Sequence, residues 1–121
     1  MTAEPSTRNA AEVLAEYERQ IAALDQALSD ATAARQALEL DGDQISYIEA
    51  ETTLHVDGRN EAERRAKLVI ELQENPDYQA ALAGRRANRE RLADADRRVT
   101  IATERCRMLR AALAAGSGSE G

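Results

Sequence analysis

Between Tyr78 and Leu113 the sequence repeats at alternating steps of three and four residues. Tyr78, Ala81, Leu92, Ala95, Val99, Ala102, Cys106, Leu109 and Leu113 fill nine of the eleven positions, and Arg85 and Asn88 take the other two. A stripe of that period stays on one side of an α-helix, whereas a strand alternates every second residue. The same period winds a helix against a second helix, so the stripe demands a helical partner. Ala10, Leu14, Tyr17, Ile21, Leu24, Leu28, Ala31 and Leu38 supply one at the same steps, with Arg35 on the skipped position. Ile45 resumes the stripe three residues after Gly42, and Ile48 reads as a local shift of phase.

These two stripes predict an all-α fold: an antiparallel two-helix coiled-coil hairpin with a short third helix near the turn. The expected domain covers residues 6–115, between a disordered start at 1–5 and a flexible tail at 116–121. The first helix is expected over 6–54, capped by Ser6 or Thr7. Asp41-Gly42-Asp43 interrupts it, but glycine costs only about 1 kcal/mol relative to alanine inside a helix, so one continuous helix, bent or straight, is expected over a break. His55 to Asn60 reads as the turn, because Asp57-Gly58 suits a tight reversal. Asn60 and Glu63 resemble a capping box for a second helix over 61–74. Asn75-Pro76-Asp77 ends that helix and opens the third, over 76–115. Setting Leu14 level with Leu113 places Leu38 near Arg89 and Gly42 near Arg85, where the missing side chain would make room for the arginine stem.

Composition explains why helices would suffice. Of 121 residues 25 are alanine, there is no Trp or Phe, and Tyr17, Tyr47 and Tyr78 are the only aromatics. A thick core would lack filler, whereas closely packed helices do not need it. The formal charge of −6 hides a polarity, with 12 acids against 3 arginines over residues 1–57 and 9 arginines against 4 acids over 85–110. Opposite signs favour folding the chain back on itself. Cys106 has no disulfide partner within the chain and His55 is the only histidine, so neither an internal disulfide nor a zinc cluster is expected. With no secretion signal and no apolar run of membrane-spanning length, a cytoplasmic location away from the membrane is expected.

Little in the sequence points to catalysis, and no enzyme, metal or cofactor is expected. His55 beside Asp57 has no nucleophile near it and reads as a solvated loop residue. Cys106 sits on the stripe and reads as packing. Glu49/Glu51 and Asp41/Asp43 are two apart, which on a helix puts each pair on different faces. Two interaction surfaces remain. Leu68, Val69, Ile70 and Leu72 give the second helix more apolar face than one neighbour can cover, and with Arg59 and Asn60 at the turn they form a candidate docking head for a protein partner. A homodimer along the long helices is a further candidate. The alternative is nucleic-acid binding through Arg86, Arg89, Arg97, Arg98 and Arg105. Against it stand the acidic first helix alongside and the lack of interleaved aromatics for base stacking. Arg85 and Asn88, on the stripe itself, would fix register or mark where the stripe opens around a partner.

The stretch Gly58-Arg59-Asn60-Glu61-Ala62-Glu63-Arg64-Arg65-Ala66, followed by an apolar run and Asp77-Tyr78, resembles small helical proteins encoded by phages and prophages of Gram-positive and actinobacterial hosts. Those proteins carry a similar Gly-(Lys/Arg)-Asn-x-x-Glu-Arg-(Lys/Arg)-Ala stretch between two long Ala/Glu/Arg-rich helices. Gly42 departs from the uninterrupted first helix that the resemblance implies. The resemblance implies a phage accessory protein and no particular reaction.

Overall fold

The computed structural model describes residues 9–119, which form three helices: α1 (Ala10–His55), α2 (Glu61–Glu74) and α3 (Pro76–Ser119). No strand occurs among the described residues. Helix α1 begins at Ala10 because Asn9 caps it. The Asn9 side-chain oxygen accepts from the Glu12 backbone N–H at 2.8 Å, its amide donates to Glu12 Oε1 at 3.3 Å, and Val13 N–H closes the first turn on the Asn9 carbonyl. The helix therefore starts later than the expected Ser6. Ser6 and Thr7, the start at 1–5, and Glu120-Gly121 of the tail lie outside the described residues. Helix α3 runs past Ala115 to Ser119.

Gly42 lies inside α1 without breaking it, and no described residue has a positive φ. A Cβ built on Gly42 would meet nothing within 4 Å. The expected nesting of the Arg85 stem there is absent, and Gly42 faces open space.

Contacts divide the chain into two units. The first joins Met1–Ala31 with Ala93–Gly121. Its described part is the start of α1 packed on the end of α3, and two links fix their direction. Arg98 Nη1 donates to Asp30 Oδ2 at 2.9 Å, and Arg110 Nη2 lies 3.5 Å from the Tyr17 hydroxyl. Numbers rise on α1 as they fall on α3, so the pair is antiparallel. The second unit is Thr32–Leu92 and holds the rest of α1, all of α2 and the start of α3. Here Asn88 Nδ2 donates to Asp41 Oδ2 at 2.7 Å and the Tyr78 hydroxyl donates to Glu49 Oε2 at 3.0 Å, again antiparallel.

All eleven α3 stripe residues from Tyr78 to Leu113 are buried or half-buried. On α1 the buried column differs from the expected one. In the first unit it is Val13, Tyr17, Gln20, Leu24, Ala27 and Ala31; in the second it is Ala34, Leu38, Asp41, Ile45, Ile48 and Thr52. Tyr17, Leu24, Ala31, Leu38 and Ile45 are shared with the expectation. Of the intervening positions, Leu14, Leu28 and Arg35 give way to Val13, Ala27 and Ala34 one residue back, while expected Ile21 and its neighbour Gln20 are both half-buried. Leu14 and Leu28 keep 46% and 47% of their surface exposed, while Ala27, Ala31 and Ala34 keep none. The expected phase shift at Ile48 disappears, because Ile48 lies on the true column throughout.

Side-chain size accounts for the choice. Half of the 46 α1 positions are apolar, so two neighbouring columns compete for the seam. Alanine on the central column lets the helix backbones approach and gain close contact, and Ala95 at 0% exposure meets that condition on α3. Leucine one position over still buries about half of itself along the seam edge.

Candidate functional site

The turn and α2 are built by backbone capping. The Asn60 side chain accepts from Glu63 N–H at 2.9 Å, as its spacing from Glu63 predicts. Arg64 folds back so that Nη1 donates to the Gly58 carbonyl at 3.1 Å. Gly58 is required there, since a Cβ would stand 2.8 Å from Arg64 Cγ and 2.9 Å from the Arg64 backbone nitrogen. Glu61 with Arg65 and Glu63 with Lys67 make ion pairs one turn apart at 2.9 and 3.4 Å along the exposed side of α2.

At the other end Asn75 serves two helices. Its N–H donates to the Leu72 carbonyl at 3.2 Å, closing α2, while its side-chain oxygen accepts from Asp77 and Tyr78 N–H at 2.9 and 3.1 Å, opening α3. Gln79 Nε2 also donates to the Leu72 carbonyl at 3.3 Å. Burial, then the hydrogen bond to Glu49 and its negative charge, push the Tyr78 phenol above its ordinary value of 10.0.

The six residues read as a docking head separate by position. Leu72 is buried at 9% exposure and Leu68 is half-buried, so both anchor α2. Val69 and Ile70 keep 54% and 53% of their surface, on directions roughly 100° apart round the helix. Arg59 and Asn60 are exposed, with Asn60 occupied as the cap. Beneath them a groove of about 240 Å³ is lined by Thr53, Val56, Glu61, Arg64, Arg65 and Leu68.

The arginines do not gather on one face. Arg86, Arg89, Arg97, Arg98 and Arg105 are all exposed. Relative to the buried stripe, however, Arg98 and Arg105 precede stripe residues Val99 and Cys106, while Arg86 and Arg89 follow Arg85 and Asn88. That puts the two pairs on opposite flanks. Arg98 is held by Asp30 at 2.9 Å and Asp94 at 3.1 Å, and those hydrogen bonds raise its pKa. Arg97 lies 3.6 Å from Asp94.

No family model, curated protein or solved structure matches this chain. What it does must therefore be argued from its own residues. Cys106 is unpaired and buried on the stripe, and His55 is exposed at the last position of α1. Among the described residues no group of three His, Cys, Asp or Glu side chains is placed to hold a metal ion, and no helix is long and apolar enough to cross a membrane.

One surface escaped the sequence reading. Leu40, Tyr47 and Leu54 on α1 are 69%, 67% and 84% exposed. Their seven-residue spacing is the sequence signal for it, off the stripe that pairs α1 with α3.

Proposed function

We propose that this chain is a non-enzymatic protein–protein interaction module, a phage accessory protein that works in the cytoplasm. In this reading α1 and α3 form an antiparallel coiled-coil hairpin, and α2 with the 56–60 turn is the docking head at its end. The supporting observation is the division of labour on α2. Leu72 and Leu68 hold the helix down, while adjacent Val69 and Ile70 present half their surface to solvent. Burying that remainder under a partner is worth on the order of 1 kcal/mol per residue. The phage assignment draws on the Gly58–Ala66 stretch.

The alternative, a nucleic-acid-associated factor for phage replication or recombination, draws on the exposure of Arg86, Arg89, Arg97, Arg98 and Arg105. Their spread over both flanks and the carboxylates held by Arg97 and Arg98 weaken it as a single footprint.

The test uses the tagged chain to recover host proteins, followed by the Val69→Ser/Ile70→Ser variant against whichever protein is recovered. The reading predicts at least about tenfold weaker binding with unchanged helicity. Unchanged affinity removes the docking head. A salt series with single- and double-stranded DNA separates the alternative, which requires binding that weakens as salt rises and that falls in an Arg97→Ala/Arg98→Ala variant.

A further inference from the structure

Leu40, Tyr47 and Leu54 each keep more than two thirds of their surface in water and stand seven residues apart on α1. Seven residues nearly complete two helical turns, so the three side chains form a straight row. Ala33 extends the row by one repeat, and Ala37, Gln44 and Glu51 fall on the intervening steps, giving positions 33, 37, 40, 44, 47, 51 and 54. That is the spacing of a second coiled-coil seam, on a face of α1 about 100° round the helix from the buried column, which it borders at Asp41 and Ile48. Single exposed apolar residues are ordinary on protein surfaces; three large ones in register make a continuous strip.

Charge narrows what fits the strip. Residues 36–57 contain six acids, Glu39, Asp41, Asp43, Glu49, Glu51 and Asp57, and no Lys or Arg. Asp41 and Glu49 are engaged by Asn88 and Tyr78. Glu39 and Asp43 are exposed on one flank of the strip, and Glu51 is exposed within it. Next to Tyr47 a groove of about 420 Å³ carries Glu51, Glu71 and Asp77 on its rim. Two copies meeting strip to strip would press these carboxylates against each other, which opposes self-pairing. The chain's own cationic helix is a poor occupant when offered by another copy. Exposed Ile101 and Met108 on α3 are also seven apart, but Arg97 and Arg98 nearby already hold Asp94, Arg98 also holds Asp30, and Arg107 holds Glu104.

We propose that the outer face of α1, along Leu40, Tyr47 and Leu54, is a docking surface for a cationic amphipathic helix of a partner protein. Its apolar row would lie on the strip, with Lys or Arg along one flank meeting Glu39 and Asp43 and a further cation meeting Glu51 within the row. This surface uses neither Val69 nor Ile70, so it stands or falls independently of the docking head.

The experiment is a fluorescence-anisotropy titration of the full chain against a labelled synthetic helical peptide with leucine at heptad spacing flanked by Lys and Arg. The control peptide carries Glu at the flanking positions. Binding of the cationic peptide alone is expected, weakening as added salt shortens the Debye length from roughly 10 Å toward 3 Å. Leu40→Ser/Leu54→Ser should weaken it at least about tenfold, and helicity should hold because both side chains are exposed. Glu39→Gln/Asp43→Asn/Glu51→Gln should remove most of the salt dependence, and Val69→Ser/Ile70→Ser should change nothing. Absence of binding, equal binding of the acidic peptide, or indifference to the leucine variant overturns the proposal. So does concentration-dependent self-association in light scattering that the leucine variant abolishes, since the occupant would then be a second copy.

Discussion

Tyr78 shows how one side chain couples α3 to α1. Its hydroxyl donates to Glu49 at 3.0 Å, and burial together with that carboxylate holds the phenol above 10.0. A phenol whose pKa is raised on folding contributes stability that is complete below the unfolded value and is lost as pH rises through the folded one. Wild-type protein should therefore be more stable than a Tyr78→Phe variant at neutral pH. The difference should vanish in alkaline solution above pH 10, measured as the gap in melting temperature. A gap that persists there would show that the hydroxyl contributes nothing through Glu49. Asn88 is equally well occupied, donating to Asp41 and accepting from Arg91 Nη1 at 2.9 Å. The sequence placed Asn88 on the stripe, where it would fix register or oligomer state or mark where the stripe opens around a partner. Its partner was hidden, because Asp41 falls on the seam only in the observed phase. Asn88→Leu should cost about 1–3 kcal/mol by stranding the half-buried Asp41. Replacing both with leucine should recover that loss while loosening the register, which chemical denaturation and hydrogen exchange would separate.

At the scale of elements, α3 was legible almost completely and α1 only in part, for a physical reason. On α3 most large apolar residues fall on one column flanked by arginines, with Leu82, Ile101 and Met108 off it, so one seam dominates. On α1 Leu24, Leu38 and Ile45 fit either phase, and at the positions between them Leu14 and Leu28 compete with Val13 and Ala27. Reading by hydrophobicity favours the larger side chains, whereas packing favours those that let two backbones close. The limits of α2 and the start of α3 were readable because Asn60, Asn75 and Pro76 cap by local chemistry that needs no tertiary context. Gly42 was read as making room for an arginine, yet it is a helix-interior glycine with nothing near its Cβ position. Gly42→Ala should thus stabilise the protein by roughly 0.5–1 kcal/mol, visible as a rise of several degrees in melting temperature. A destabilised variant would mean that something does pack there. Gly58 is the opposite case, and the close approach of Arg64 predicts that alanine is harmful at that position.

For the molecule as a whole, the charge polarity written into the sequence reaches across the helices where Arg98 meets Asp30. Asp30 holds Arg98 in the first unit, while the second unit keeps an acidic stretch with no cation of its own between residues 36 and 57. The candidate docking head was half legible. An excess of apolar residues on α2 was apparent, but which of them anchor and which protrude depends on how the helix is rolled against α1, and this no local pattern encodes. The account rests on α1 closing against α3 along its alanine column, with the leucines left at the edge. Thiol labelling of single cysteines at positions 27, 28, 34 and 35, in a Cys106→Ala background, tests this most directly. Slow modification at 27 and 34 with fast modification at 28 and 35 is the expected result. Protection at 28 and 35 with rapid labelling at 27 and 34 would contradict the account and return the seam to the leucine column.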